Sequence, residues 1–329
     1  YPQKGVLGLP LCVYPSVIFY NQDLFDAAGV EYPPDKFEAP YADGDPWTYD
    51  KLVEISKKLT KDSAGNDANS PAFNWEKSVQ WGWNGWDWEG NVKPWVQKFG
   101  DARPTGVSED GRTSLVNQKP WLDAAQFVKD TVWTWHIRAN TEQGGTLSDA
   151  TGDPMGSGKI AMWEINSWMG YAWSAWQSSF NWNAAAIPSV GSNKVVAEVD
   201  ADTFVIPKSS KHQKEAWEVV KWLFQPEMMQ KLTKNYACIP ARKSLAATWV
   251  DEMKKDYPNV NFQVFLDSLN YIDKPNHESW TPAYTKINDA MNNANDQILT
   301  GQNLDVQAVM DSLHTEVQGY LDEYWASKQ

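Results

Sequence analysis

Twenty of this chain's 329 residues are tryptophan, and that number limits the folds open to it more than any other feature. The indole is the largest side chain, and its N–H wants a partner when buried. A chain with so many needs a large interior, a use for aromatic surface, or both. The length supplies the interior, since a chain of this size forms about two domains and buries about three quarters of its unfolded surface. The rings also cluster. Trp81, Trp83, Trp86, Trp88 and Trp95 form one group, and Trp163, Trp168, Trp173, Trp176 and Trp182 form a second. Trp280 stands nearly alone in a polar stretch.

Charge narrows the partners. There are 29 Lys and Arg against 42 Asp and Glu, a net charge of −13. Nucleic acid and anionic membrane both demand cationic surface, so neither is an expected partner. No run of about twenty apolar residues is present to span a bilayer. The chain opens at Tyr1-Pro2-Gln3-Lys4 and enters an apolar run at once, with no leader segment, so its start reads as cut. Cys12 and Cys238 lie too far apart for zinc spacing. Two buried thiols is one reading, and a long-range disulfide in an oxidising compartment is the other.

Periodicity sketches the elements. Residues 13–20 (VYPSVIFY) are β-branched and aromatic and predict a strand. A short helix at 24–28 follows, stopped by Gly29, and a Pro- and Asp-rich loop covers 32–45. Thr48 can cap a helix over 49–59 with Leu52, Ile55 and Leu59 on one face. Alternation at 78–83 predicts a strand with Val79, Trp81 and Trp83 on one side. Further helices are expected at 93–99, 120–132, 214–224, 226–235, 283–300 and 304–325, with strands at 159–165, 184–187 and 203–206. From Ser167 a helix should turn Met169, Trp173 and Trp176 inward, and Trp217 and Trp222 should also pack. Strands followed by helices make the class α/β.

Several catalytic patterns fail. Met155-Gly156-Ser157-Gly158-Lys159-Ile160 hints at a phosphate loop, but Asp153 stands where the first Gly belongs and Ile160 where the magnesium-binding hydroxyl belongs. His136, His212, His277 and His314 are scattered, with no ligand spacing. No nucleophile elbow is present, and Asp62 to Ser70 lacks a calcium-loop ligand series. No metal or other cofactor is expected.

The remaining signal is tryptophan beside acids and amides. A pyranose offers an apolar C–H face to an indole and a rim of hydroxyls to Asp, Glu, Asn or Arg. Trp83-Asn84-Gly85-Trp86-Asp87-Trp88-Glu89 and Trp163-Glu164-Ile165-Asn166-Ser167-Trp168 have this composition. Trp81 and Trp83 also fit an ordinary half-buried strand. Trp86, Trp88, Trp168 and Trp280 sit among turns and polar residues, where ligand contact is the better reading.

The chain resembles the extracellular solute-binding proteins of carbohydrate ABC importers, the family of maltose-binding protein. Leu9-Pro10 through Tyr20-Asn21-Gln22-Asp23-Leu24-Phe25, ending at Ala28-Gly29-Val30, is similar to the family's crossing strand and following helix. Pro46-Trp47-Thr48-Tyr49-Asp50-Lys51-Leu52 resembles its P-x-T-W-(D/E)-(E/D)-L helix start. Met155 to Trp168 resembles its F-x-x-G-K-x-A-M strand and ligand-side G-x-W, and Pro240-Ala241-Arg242-Lys243-Ser244 its P-x-R-x-S turn.

The resemblance implies a two-lobe periplasmic-binding-protein fold of type II, with sugar in the cleft and hinged closure. It implies a complete C-terminal lobe (13–198 plus 263–329) and a partial N-terminal lobe (1–12 plus 199–262). About the first hundred residues of the family pattern, the scale of one domain, are absent. By position, Trp168 is the leading stacking residue, and Trp280, Trp83, Trp86, Asp87 and Trp88 face the sugar. Glu164, Asn166, Glu198, Asp200, Asp202 and Tyr14 lie at or near the crossings, with Arg242 near the hinge. The expectation is a non-catalytic, monomeric receptor outside the membrane, free or as a lipoprotein. It would bind an oligosaccharide and deliver it to the transmembrane subunits of an ABC importer. The rivals are a glycoside-acting enzyme using a pair among Asp87, Glu89 and Glu164, and a receptor for a cationic or peptide solute.

Overall fold

A computed structural model describes residues 8–85, 91–147, 153–272 and 281–329. The strands are β1 (Leu9–Asn21), β2 (Lys61–Asp62), β3 (Ser78–Gln80), β4 (Met162–Asn166), β5 (Trp182–Ala185), β6 (Val199–Phe204) and β7 (Ile239–Pro240). The helices are α1 (Gln22–Ala28), α2 (Tyr49–Leu59), α3 (Lys93–Phe99), α4 (Lys119–Trp133), α5 (Thr141–Gly144), α6 (Trp173–Ser179), α7 (Gln213–Leu223), α8 (Pro226–Asn235), α9 (Lys243–Asp256), α10 (Gln263–Ser268), α11 (Tyr284–Thr300) and α12 (Val306–Ala326).

Everything is organised on β1. Its first half pairs antiparallel with β6 and β7, and its second half with β4 on one side and β5 on the other. Side chains of a strand alternate between faces, and here each face meets a different core. Ile18 and Tyr20 enter a core built with α2, α3, α4, α11 and α12, including Leu52, Trp95, Trp121, Met291 and Leu321. Val17 and Phe19 enter a second core with Trp173, Trp176, Trp182, Trp249, Phe262 and Phe265. A strand covered on both faces reads as a continuous apolar run, which is why 13–20 looked so uniformly strand-like.

Local signals set the element ends. The Asn21 side chain accepts from the backbone N–H groups of Asp23 and Leu24 at the start of α1, and Gly29 closes that helix in the left-handed region at φ 62°. Thr48 caps α2 through the Lys51 N–H. Several expectations need correction. The strands expected at 159–165, 184–187 and 203–206 run instead over Met162–Asn166, Trp182–Ala185 and Val199–Phe204. The strand expected at 78–83 stops at Gln80; Val79 is exposed, Trp81 joins the second core and Trp83 the first. Trp217 and Trp222 of α7 are 45% and 50% exposed instead of packed. The 155–157 segment is a short 3-10 turn. Asp153 accepts from the Gly156 N–H and from the Trp176 indole, so its carboxylate closes a structural turn where a phosphate loop would need glycine.

Candidate functional site

The two halves of β1 meet at Pro15 and Ser16, and the polar residues converge there. Ser16 is fully buried. Its N–H donates to the Glu198 carbonyl at 2.8 Å, its hydroxyl accepts from the Glu198 N–H at 2.9 Å, and its carbonyl accepts from the Ser268 hydroxyl at 2.8 Å. One residue thus ties the first chain crossing to the second and to α10. Nearby, Ala197 donates its N–H to the Tyr271 carbonyl, so a third segment runs alongside.

Register fixes which side chains share this place. Tyr14 stands opposite Asp200, Cys12 opposite Asp202, and Ser16 opposite Asn166. The Tyr14 hydroxyl donates to Asp202 Oδ2 at 2.7 Å, and Asn166 Nδ2 donates to Asp200 Oδ2 at 2.6 Å. Burial, and then the hydrogen bond to Asp202, hold the Tyr14 phenol well above its usual value. It stays protonated and donating throughout the neutral range. Asn166 ends β4 and Asp200 belongs to β6, so their bond joins one half of the ladder to the other.

Directly after Asn166, the chain enters a 3-10 turn (Ser167–Tyr171) that presents Trp168. The ring is half-buried, lies edge-on to Tyr14 with centroids 6.4 Å apart, and packs against each of the three apolar clusters formed among the described residues. An indole placed where three cores meet, with two carboxylates and an amide beside it, offers an apolar face and hydroxyl acceptors together. Cys12 and Cys238 form a disulfide under this place, which settles the choice between thiols and bond.

A charged layer lies behind. Glu164 and Lys98 pair at 2.8 Å with side chains 1% and 3% exposed. Lys98 also donates to the Val196 carbonyl at 2.7 Å, and the Tyr49 hydroxyl donates to Glu164 Oε2 at 2.6 Å. Burial pushes the Tyr49 phenol up, and the carboxylates of Glu164 and Glu198 push it further. Glu198 is itself 4% exposed.

The sequence-predicted residues separate accordingly. Tyr14, Asn166, Trp168, Asp200 and Asp202 come together. Glu164 and Glu198 lie beneath them, with Glu164 engaged by Lys98 and Tyr49. Trp83 is fully buried against Trp95 and Phe127, its ring wholly within the first core. Arg242 is exposed and donates to the Phe224 carbonyl at 3.2 Å. Trp86, Asp87, Trp88, Glu89 and Trp280 lie outside the described residues. Sequence reasoning missed Ser16, Tyr49, Lys98 and Ser268. A Lys in an amphipathic helix and a Ser in a strand carry no mark of burial. Among the described residues no group of three or more His, Cys, Asp or Glu is arranged to hold a metal ion.

A mixed α/β fold built on a crossing strand, with a polar site at the crossing, matches the two-lobe architecture of ABC solute-binding proteins. The chain belongs to the bacterial extracellular solute-binding protein family, whose model matches residues 2–230. A Brucella abortus protein described as a binding protein is 24% identical over 298 residues, 90% of this chain and 63% of that one. This chain therefore spans less than two thirds of that relative's length. An ABC substrate-binding protein of Listeria monocytogenes, solved with cycloalternan, superposes at a TM-score of 0.74 with 18% identity, covering 96% of this chain and 72% of that one. The maltose/maltodextrin-binding domain MalE of Bdellovibrio bacteriovorus, bound to maltotriose, gives 0.63 with 17% identity over 96% and 72%.

Proposed function

We propose that this chain is the ligand-capturing receptor of an ABC sugar importer, and that it binds an oligosaccharide by stacking on Trp168 with hydrogen bonds to Asp200, Asp202 and Asn166. The observation that carries the reading is the half-buried Trp168 ring beside those groups at the crossing of the chain. The bound oligosaccharides of the two structural neighbours support it. The lobes divide near the crossings, with 13–198 and 243–329 on one side and 1–12 with 199–242 on the other; Trp249, Met253, Val260 and Phe262 pack with Val17, Phe19 and Trp173, which supports a boundary before α9 instead of at 262. The receptor acts as a monomer outside the membrane, free or lipid-anchored, and hands its ligand to the importer's transmembrane subunits. Capture occurs without cleavage. Glu164, one of the carboxylates a glycosidase would use, is already committed to Lys98 and Tyr49.

Calorimetric titration with a panel of linear and cyclic oligosaccharides tests the proposal. One or more should bind, and Trp168→Ala should weaken that binding by about tenfold, because an aromatic contact contributes about 0.5–1.5 kcal/mol beyond simple burial. The recovered sugar should be intact after long incubation. No heat from any oligosaccharide, or cleaved product, overturns the reading.

A further inference from the structure

Two more tyrosines, Tyr171 and Tyr236, are carried by turns that pack against each other next to Trp168. Tyr171 ends the 3-10 turn that carries Trp168, and Tyr236 follows the last residue of α8. They are 58% and 61% exposed. Leaving a ring this size in water forgoes part of the stabilisation that its burial would contribute.

The backbone that carries them is locked. Ala237 sits in the left-handed region at φ 50°, a place usually given to glycine at a helix C-terminus. Its methyl is buried and fills the space where a side chain at Gly170 would be; a Cβ there would collide with that methyl and come within 3.2 Å of the Tyr236 and Ala237 carbonyls. The glycine and the alanine thus fit together as a pair and press the turn bearing Trp168 and Tyr171 against the turn bearing Tyr236. The next residue, Cys238, is bonded to Cys12 of β1. Two exposed tyrosines, on segments far apart in sequence, are therefore carried by turns packed against each other next to Trp168. In a 3-10 turn residues three apart share a face, so Tyr171 lies on the same face as Trp168, and exposed aromatics flanking a half-buried one extend the surface on which sugar rings can stack.

We propose that Tyr171 and Tyr236 are further ligand contacts of this site, covering sugar rings beyond the one on Trp168 and setting a preference for a trisaccharide or longer chain over a disaccharide. This rests on the oligosaccharide reading above. The test is calorimetry on the wild type, Tyr171→Ala and Tyr236→Ala with maltose, maltotriose, mannobiose and mannotriose. Each variant should bind the accepted trisaccharide about 3- to 10-fold more weakly. The loss for the matching disaccharide should be smaller, and the melting temperature unchanged because the rings are exposed. Wild type that binds while both variants bind equally well overturns the tyrosine assignment alone. So does an equal loss for both chain lengths, or a lowered melting temperature. Wild type that binds none of the four sugars but does bind another oligosaccharide of the wider panel also overturns this inference alone, whereas wild type that binds no oligosaccharide removes the oligosaccharide reading and this inference with it.

Discussion

The two halves of β1 are one continuous ladder in different surroundings. Residues 16–21 are all buried, with β4 and β5 beside them and an apolar core on each face. Residues 9–14 pair with β6, whose last four residues are exposed, and among the residues of α7 only Val220 is buried. Trp217, Val219 and Trp222 of that helix are 45%, 56% and 50% exposed. Both halves of β1 are largely apolar, so apolar content along the strand does not distinguish them. What differs is whether another layer covers them. The first half of β1 is held by a small apolar cluster with Leu11, Met229 and Leu245, by the disulfide, and by the Tyr14–Asp202 bond. The candidate site lies where the two regimes meet. A ring can be half-buried and a carboxylate solvated only at such a boundary.

Three experiments break or sharpen this contrast. Lys98→Met strikes the densely buried half. It leaves the Glu164 carboxylate without its ion-pair partner in the interior, and the expected loss is about 3–5 kcal/mol in urea unfolding. A loss under about 1 kcal/mol would show that the pair does not anchor that half. The double substitution Cys12→Ser with Cys238→Ser strikes the thinly covered half. A cross-link closing so long a loop contributes about 2–4 kcal/mol, so calorimetric melting should fall, and adding reductant to the wild type should reproduce the shift. An unchanged midpoint would mean the Leu11, Met229 and Leu245 cluster suffices alone. Trp222→Gln should change stability by no more than about 0.5 kcal/mol. A larger loss would show that the α7 surface is packed in solution, and the contrast would then weaken.

Much of the fold was legible because its signals are local. The Asn21 and Thr48 caps, the Gly29 stop and the Pro226 start of α8 each depend on a few adjacent residues. Helices α9 and α10 were not foreseen. Their apolar positions Leu245, Trp249, Met253, Val264 and Phe265 are spread among charged residues, and they become a face only against β1 and the second core. The site was partly legible. Trp168, Asn166, Asp200, Asp202 and Tyr14 were named from the sequence, but their convergence follows from antiparallel register between strands far apart in the chain. Trp83 and Glu164 had the same local look as Trp168 and Asn166, and their surroundings gave them other partners.

By itself, then, the sequence determined most of the helices and their ends, the existence of the main strands, the α/β class and the poverty of cationic surface. These follow from backbone dihedral preferences and side-chain periods that operate over a few residues. Only the tertiary structure decided which tryptophans enter a core, that Cys12 meets Cys238, and that Lys98 neutralises Glu164 inside the molecule. Burial and pairing are properties of what lies opposite, and in this chain the opposing residue is often more than sixty positions away.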